Sequence, residues 1–139
     1  MDPCRTEIEP GAHDDAGMSI IVVEWRIRKG QEDAFLDYWS TRSRVMDRTS
    51  LVAEFLSRAE SPEVFPWIRW EMDPRWTTYV NVGIWSTASA FQENFGQFFH
   101  DSQPILDFEA ERRRRVLLET ERWRIGAAAI PRSDHPKVL

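Results

Sequence analysis

Residues 77–99, TTYVNVGIWSTASAFQENFGQFF, change their periodicity within a few positions, and few folds accommodate that change. The opening part, 77–85, alternates in period two. Thr78, Val80, Val82 and Ile84 form one row, and Tyr79, Asn81, Gly83 and Trp85 the other, which predicts a β-strand. Thr87 then stands where a hydroxyl can accept from an unpaired N–H in the first turn of a helix. Phe91, Phe95, Phe98 and Phe99 follow at helical spacing, so one helix face is a wall of phenylalanine that has to be buried. A strand that runs straight into such a helix supplies the surface for it.

The same two periods order the rest of the chain. SIIVVEWRIR, 19–28, predicts a strand that Lys29-Gly30 breaks. QEDAFLDYWSTRSRVM places Phe35, Tyr38, Trp39, Val45 and Met46 on one helical stripe, with Glu32 and Asp33 at the positive end of the dipole. SLVAEFLSRA, 50–59, predicts a second strand. Gln103-Pro104 restarts a short helix through ILDFEAE, and RVLLETERWRI, 115–125, predicts a last strand. The order is an α+β, ferredoxin-like β-α-β-β-α-β chain, with helices on one face of a four-stranded antiparallel sheet. Taking the aliphatic row of 77–85 as the one under the helices leaves Tyr79 and Trp85 on the uncovered face. An aromatic surface of that size marks an interface or a pocket, and a second copy covering it predicts a homodimer.

Composition bounds the partners. A chain of 139 residues holds one domain with a real core, here 18–126 between an acidic N-terminal tail, 1–17, and a C-terminal tail, 127–139. The N-terminal stretch lacks the apolar segment of a secretory signal, and Met18 is an alternative start. A net charge of -5 and a pI near 5.2 speak against a nucleic-acid or anionic-membrane partner, and Arg112–Arg115 reads as a solvated charged face. No apolar run approaches the ~20 residues of a membrane span. Cys4 is the one cysteine, which excludes an internal disulfide and a thiolate metal site and fits a reducing cytoplasm. The preference for arginine over lysine points to a bacterial source. Neither a nucleophile elbow nor a phosphate-binding glycine loop occurs, and the three histidines have no zinc spacing.

Between the second and third strands lies FPWIRWEMDPRW, 65–76. A hairpin needs only two to five connecting residues, so a longer stretch bearing Phe65, Trp67, Trp70 and Trp76 has another use. In order of expectation it is a dimer-interface arm, a lid over a pocket, or an extension of the core.

SIIVVEWRIRKGQEDAFLDYW and YVNVGIWSTASAF resemble the first strand, Lys-Gly turn and first helix, and the third strand and capped second helix, of antibiotic-biosynthesis-monooxygenase-type (ABM) domains. The resemblance implies a dimeric α+β barrel in which two sheets pack face to face. It also implies cofactor-independent oxygenation of an aromatic, polyketide- or quinol-like small molecule in an apolar pocket. A polyketide cyclase or isomerase and a non-catalytic ligand-binding module are the alternatives. In the heme-degrading branch of these proteins, Trp85 has a counterpart. The expected first-strand Asn falls at Val23 and the iron-ligating His at Phe95, with His100 more than a turn further on, so no heme or other cofactor is expected.

Candidate site residues follow. The Asn81 amide can donate to a substrate oxygen that gains charge, or it is a core amide satisfied by a neighbour. His100, next to Asp101, can serve as a general base or simply complement a helix C-terminus. Trp25, Tyr79, Gly83, Trp85, Phe95 and Phe99 complete the expected substrate lining, with Gly83 leaving room for a flat ligand or a close approach of backbone.

Overall fold

The computed structural model describes residues 18–96, 102–129 and Leu139. His100 and Phe99 lie outside the described residues. Six elements follow one another: β1 Ser19–Arg28, α1 Glu32–Thr41, β2 Leu51–Arg58, β3 Trp76–Trp85, α2 Ala88–Phe95 and β4 Glu109–Glu119. The strands form one sheet in the order β2-β3-β1-β4, every neighbouring pair antiparallel. This is the ferredoxin-like arrangement expected from the two periodicities.

Local chemistry explains the joints. After β1 the chain turns at Gly30, whose φ of 90° suits a residue without a Cβ. The Gly30 N–H donates to Glu32 Oε1 at 2.7 Å, and Thr77 Oγ1 donates to Glu32 Oε2 at 2.9 Å, which pins the start of α1 to the start of β3. Thr87 caps α2 as expected, its hydroxyl accepting from the Ala90 N–H at 3.1 Å.

Three boundaries differ from the sequence expectation. α1 ends at Thr41 and does not reach Val45 and Met46; the Thr41 hydroxyl bonds back to the Asp37 carbonyl at 2.7 Å, a competition that weakens a helix end. Val45 is nonetheless buried, whereas Met46 is exposed. The helix expected over 105–111 is absent, and β4 spans 109–119 in place of 115–125. The reason is the partners that these charges find within β4 and across to β1. Glu109, fully buried, accepts from Arg113 Nη2 at 2.6 Å and from the Leu106 and Arg113 N–H groups. Arg114 makes a two-pronged pair with Glu24 of β1, both contacts at 3.0 Å. With these partners the arginine run enters the sheet as strand.

The largest difference concerns the faces. Tyr79 and Trp85 look toward the helices, not away from them. Tyr79 lies 5.0 Å from Phe35 of α1, and Trp85 lies 5.9 Å from Phe91 and 6.2 Å from Phe95 of α2. The large rings of that row pack with Phe35 of α1 and with Phe91 and Phe95 of α2 into the buried core. The aliphatic row is left on the open face. There Phe55, Val82, Val22 and Val116 stand side by side across the four strands, next to a second row of Ala53, Ile84, Ile20 and Leu118. Phe55, Val116 and Leu118 are all more than two-fifths exposed. Toward the other end of that face the row becomes charged, with Glu24, Arg26 and Arg114.

The tryptophan-rich connection is not an extension of the core. Trp67 and Trp70 are 74% and 76% exposed. Phe65 is exposed as well, its ring 5.8 Å from that of Trp67. Trp76 is half-buried as the first residue of β3, under the guanidinium groups of Arg75 and Arg26.

Candidate functional site

The helix-covered face carries two aromatic clusters with a polar centre between them. The first joins Trp25 of β1, Phe35 and Tyr38 of α1, Tyr79 of β3, and Phe108 just before β4, with ring centroids 4.9–6.4 Å apart. The Arg113 guanidinium sits 4.2 Å over the Trp25 ring, held there by buried Glu109. Burial pushes the Tyr79 phenol above its ordinary value, so it is a neutral donor and not a base at physiological pH. The second cluster is Trp85, Phe91 and Phe95.

Between them lies Asn81, 6% exposed. Its Nδ2 donates to Glu54 Oε2 at 3.4 Å, a long contact, while its Oδ1 has no partner. The Trp25 and Trp85 indole N–H groups are likewise buried without a partner. An orphaned buried polar atom costs on the order of 1–3 kcal/mol, so three of them on one face are expensive unless something completes them. Glu54 reaches this centre from β2, directly across from Gly83. It is half-buried, and burial pushes its carboxyl above the usual carboxylate range, with the Asn81 bond and Arg48 opposing the shift.

Gly83 has a definite role. A Cβ there would stand 3.0 Å from Trp85 Nε1 and 3.8 Å from Glu54 Oε2. The space that the glycine leaves is taken by the Trp85 indole edge, which folds down beside the carboxylate. A cleft of ≈ 240 Å³ opens between α2 and β4, lined by Ile21, Phe91, Gln92, Arg115 and Leu117 among others. Phe91 borders both the cleft and Trp85. A larger hollow, ≈ 840 Å³, borders Arg122, Trp123 and Arg124 past the end of β4 and includes none of these groups.

The structure thus brings Trp25, Tyr79, Asn81, Gly83, Trp85 and Phe95 onto one face. It does not bring Phe65, Trp67, Trp70 or Trp76 there. Glu54 was not among the sequence candidates, although a signal existed: it is a carboxylate in the same pleat phase as Leu56. The Glu109–Arg113 pair was not expected either, because the sequence reading puts Glu109 in a short helix and Arg113 in a solvated charge run outside any element. At the positions that the resemblance sets against the amide and the iron ligand of the heme-degrading branch stand buried Val23 and Phe95, and the Phe95 ring packs on Trp85. Among the described residues no three His, Cys, Asp or Glu side chains cluster as metal ligands would.

No protein-family model matches the chain, and no curated protein matches it either. Solved structures do. A protein of unknown function from Nitrosomonas europaea is similar over 80% of this chain and 96% of its own, with a TM-score of 0.50 and 11% identity. A candidate antibiotic biosynthesis monooxygenase from Bacillus cereus is similar over 79% and 99%, with a TM-score of 0.48 and 8% identity. At such identities the likeness is one of fold. No helix among the described residues is long and apolar enough to cross a membrane.

Proposed function

We propose that the chain is a cofactor-independent monooxygenase, working as a homodimer on a flat, electron-rich aromatic of the polyketide- or quinol-like kind. The observation that carries this reading is the polar centre of the aromatic face: the unpartnered Asn81 Oδ1 and Trp85 Nε1 beside the raised carboxyl of Glu54. A donor, an acceptor and a carboxyl of shifted acidity are what an acidic C–H next to a carbonyl requires. Glu54, when ionised, takes the proton; the Trp85 N–H or the Asn81 amide holds the oxygen on which charge develops. The carbanion so formed transfers electrons to O2 and bonds to it, and the resulting hydroperoxide loses water to leave a carbonyl. A CH2 and one O2 become C=O and H2O, and the oxidant is O2 itself.

The open face supports the dimer. Two cross-strand rows of aliphatic and phenylalanine side chains are uncovered, and a second copy of the same sheet is a self-complementary cover for them. The interface should exceed the ~1,000 Å² of specific association.

Oxygen uptake by purified protein with anthrones and quinols tests the reaction. Substrate-dependent uptake that falls in Glu54→Gln and Asn81→Leu is expected, without heme or flavin absorbance in the protein. Turnover to a cyclised or isomerised product with no oxygen consumed would replace the oxygenase by a catalyst of enolisation only. Light scattering that returned 16.4 kDa at micromolar concentration would remove the dimer.

A further inference from the structure

The run Arg112–Arg115 looks like one solvated face in sequence, but the pleat of β4 gives its members different surroundings. Arg114 turns to the open side and pairs with Glu24 of β1. Arg113 turns to the helix side and pairs with buried Glu109. Arg115, two residues further on, lies on the helix side as well, directly across from buried Val23. It is half-buried, and its guanidinium stays charged at any physiological pH. Around it the surface is apolar. Arg115 lines the cleft of ≈ 240 Å³ between α2 and β4. Ile21 and Leu117, neighbours across β1 and β4, form one wall, and Ala88 and Phe91 of α2 form the other. Gln92 reaches the cleft from the same helix face as Ala88 and Phe91. Among the described residues that line the cleft, Arg115 holds the one charge and Gln92 the one side-chain amide. An apolar cavity of about 150 Å³ already takes a benzene molecule, so this cleft has room for a fused pair of rings. Two cross-strand rows join it to the polar centre. Leu117, Ile21, Gly83 and Glu54 stand in one, and Arg115, Val23, Asn81 and Leu56 stand in the next. Arg115 and Asn81 are two strand spacings, about 10 Å, apart.

We propose that this cleft is the recognition end of the site, where Arg115, with the Gln92 amide beside it, takes the carboxylate of a planar aromatic substrate. It rests on the helix side being the ligand face, as in the function proposed above, and it narrows the substrate class to aromatic carboxylic acids in their anionic form. A guanidinium presents five donors in a planar fork, so two can hold a carboxylate while the others serve the protein. The rings lie between Ile21 and Leu117 on one side and Phe91 on the other, with the far end directed along the row toward Asn81. A negative charge held that far out fixes the orientation without standing beside the carbon that becomes a carbanion. On a chain of net charge -5, anions are not drawn in by the overall field, so selection falls to this one cation.

Binding of a matched ligand pair tests this without turnover. Naphthoate and naphthamide share a shape and differ in charge, and titration calorimetry at neutral pH reads the affinity of the full chain for each. Naphthoate should bind about tenfold more tightly, the scale of a charge-assisted contact, and high salt should shrink the preference. Arg115→Gln should bring the two affinities together by weakening naphthoate alone. Arg115→Lys, which keeps the charge without the fork, should restore part of the difference. Leu117→Trp, which fills the cleft, should weaken both ligands. Equal affinities in the wild type, an unchanged preference in Arg115→Gln, or unaltered binding in Leu117→Trp would each overturn the proposal. Should Arg115→Gln fail to fold, the ligand pair on the wild type reads the preference and Leu117→Trp its location. Oxygen uptake with anthrones is a separate readout. No uptake with the naphthoate preference intact removes the oxygenase and leaves the anion site, whereas uptake without the preference leaves the oxygenase and removes the site.

Discussion

The two faces of the sheet are built from alternate residues of the same four strands, yet they differ in every physical respect. The helix side is aromatic, buried and studded with polar atoms that lack partners: Asn81 Oδ1, Trp25 Nε1 and Trp85 Nε1. The open side is aliphatic at one end and ion-paired at the other, where Glu24 accepts from Arg114 and stands 3.5 Å from Arg26 Nε. On the open side Arg26 Nε, also without a hydrogen bond, is compensated by the charge of Glu24; a ligand can be the partner that the helix-side atoms lack. The contrast assigns chemistry to one side and association to the other, and substitutions on the two sides should therefore fail in different assays.

The largest expected effect is on association. Val82, half-buried on the open face between Val22 and Phe55, tolerates a polar residue in a single copy but not beneath a second sheet. Val82→Glu should weaken the dimer by on the order of 5 kcal/mol, because a lone carboxylate would be buried without a partner. Light scattering should find monomers that are folded by circular dichroism. A dimer of unchanged affinity would show that the open face is not the interface, and the comparison of faces would break at its first step.

Next in size is Trp85→Ala on the other face. The side chain is fully buried against Phe91, Phe95 and the bare Cα of Gly83. Removing it should cost about 4 kcal/mol of folding stability, measured by urea denaturation, with dimer affinity retained for whatever folds. Gly83→Ala sharpens the point, since its new methyl would meet the indole at 3.0 Å and must displace it. A loss of stability there, with Trp85→Ala/Gly83→Ala no worse than Trp85→Ala, would tie the glycine to the indole.

How much of this was legible beforehand follows from what sequence periodicity can and cannot encode. The elements were legible because Val80, Val82 and Ile84 alternate and Phe91 and Phe95 recur at helical spacing. Which row of β3 meets the helices was not. Period two is symmetric, and the alternation alone does not say that the aromatic row is the one that goes inward. β4 was misplaced for a related reason. Its buried start is made of Glu109 and Arg113, which look like surface until each is seen to neutralise the other. Glu54 was hidden by ordinary appearance: an isolated glutamate on an edge strand is usually solvated, and only the register with Gly83 and Asn81 gives it a site.

A smaller effect separates the two meanings of Asn81. Asn81→Leu removes an unpartnered carbonyl and a weak bond to Glu54, so stability should change by no more than about 1 kcal/mol. Substrate-dependent oxygen uptake should fall about 100-fold, the scale on which one oxyanion donor acts. A loss of several kcal/mol with unaltered uptake would make Asn81 a core amide and empty the helix face of its chemistry.

Glu54→Gln should act through pH. Burial raises the folded carboxyl's pKa above its value in the unfolded chain, so the unfolded chain gives up the proton first. As pH rises from about 4.3, ionisation therefore favours unfolding until the folded group has ionised too; above that the deficit is constant. The glutamine variant lacks the deficit. It should equal the wild type in melting temperature below this window and exceed it at neutral pH, by under about 1 kcal/mol. A variant less stable at neutral pH than at pH 4, relative to wild type, would mean that the Glu54 charge is stabilised in the fold and is no poised base.

The smallest expected effect concerns the most aromatic stretch of the chain. Trp67 and Trp70 project from the connection between Arg58 and Trp76, and each is about three-quarters exposed. In one copy they support nothing, so Trp67→Ala and Trp70→Ala should leave folding stability within about 0.5 kcal/mol of wild type. Their place in the dimer follows from the gradient along the open face. The apolar rows lie toward Ile20, Ile84 and Ala53, whereas the connection emerges at the end where Arg28 pairs with Trp76 and Arg26 with Thr78. An aromatic beside a charged, wet margin anchors far less than one at the centre of an interface. Each substitution should therefore weaken the dimer less than tenfold in a dilution series, well short of Val82→Glu. A larger loss from the two tryptophans than from Val82→Glu would move the interface off the sheet face and onto this arm.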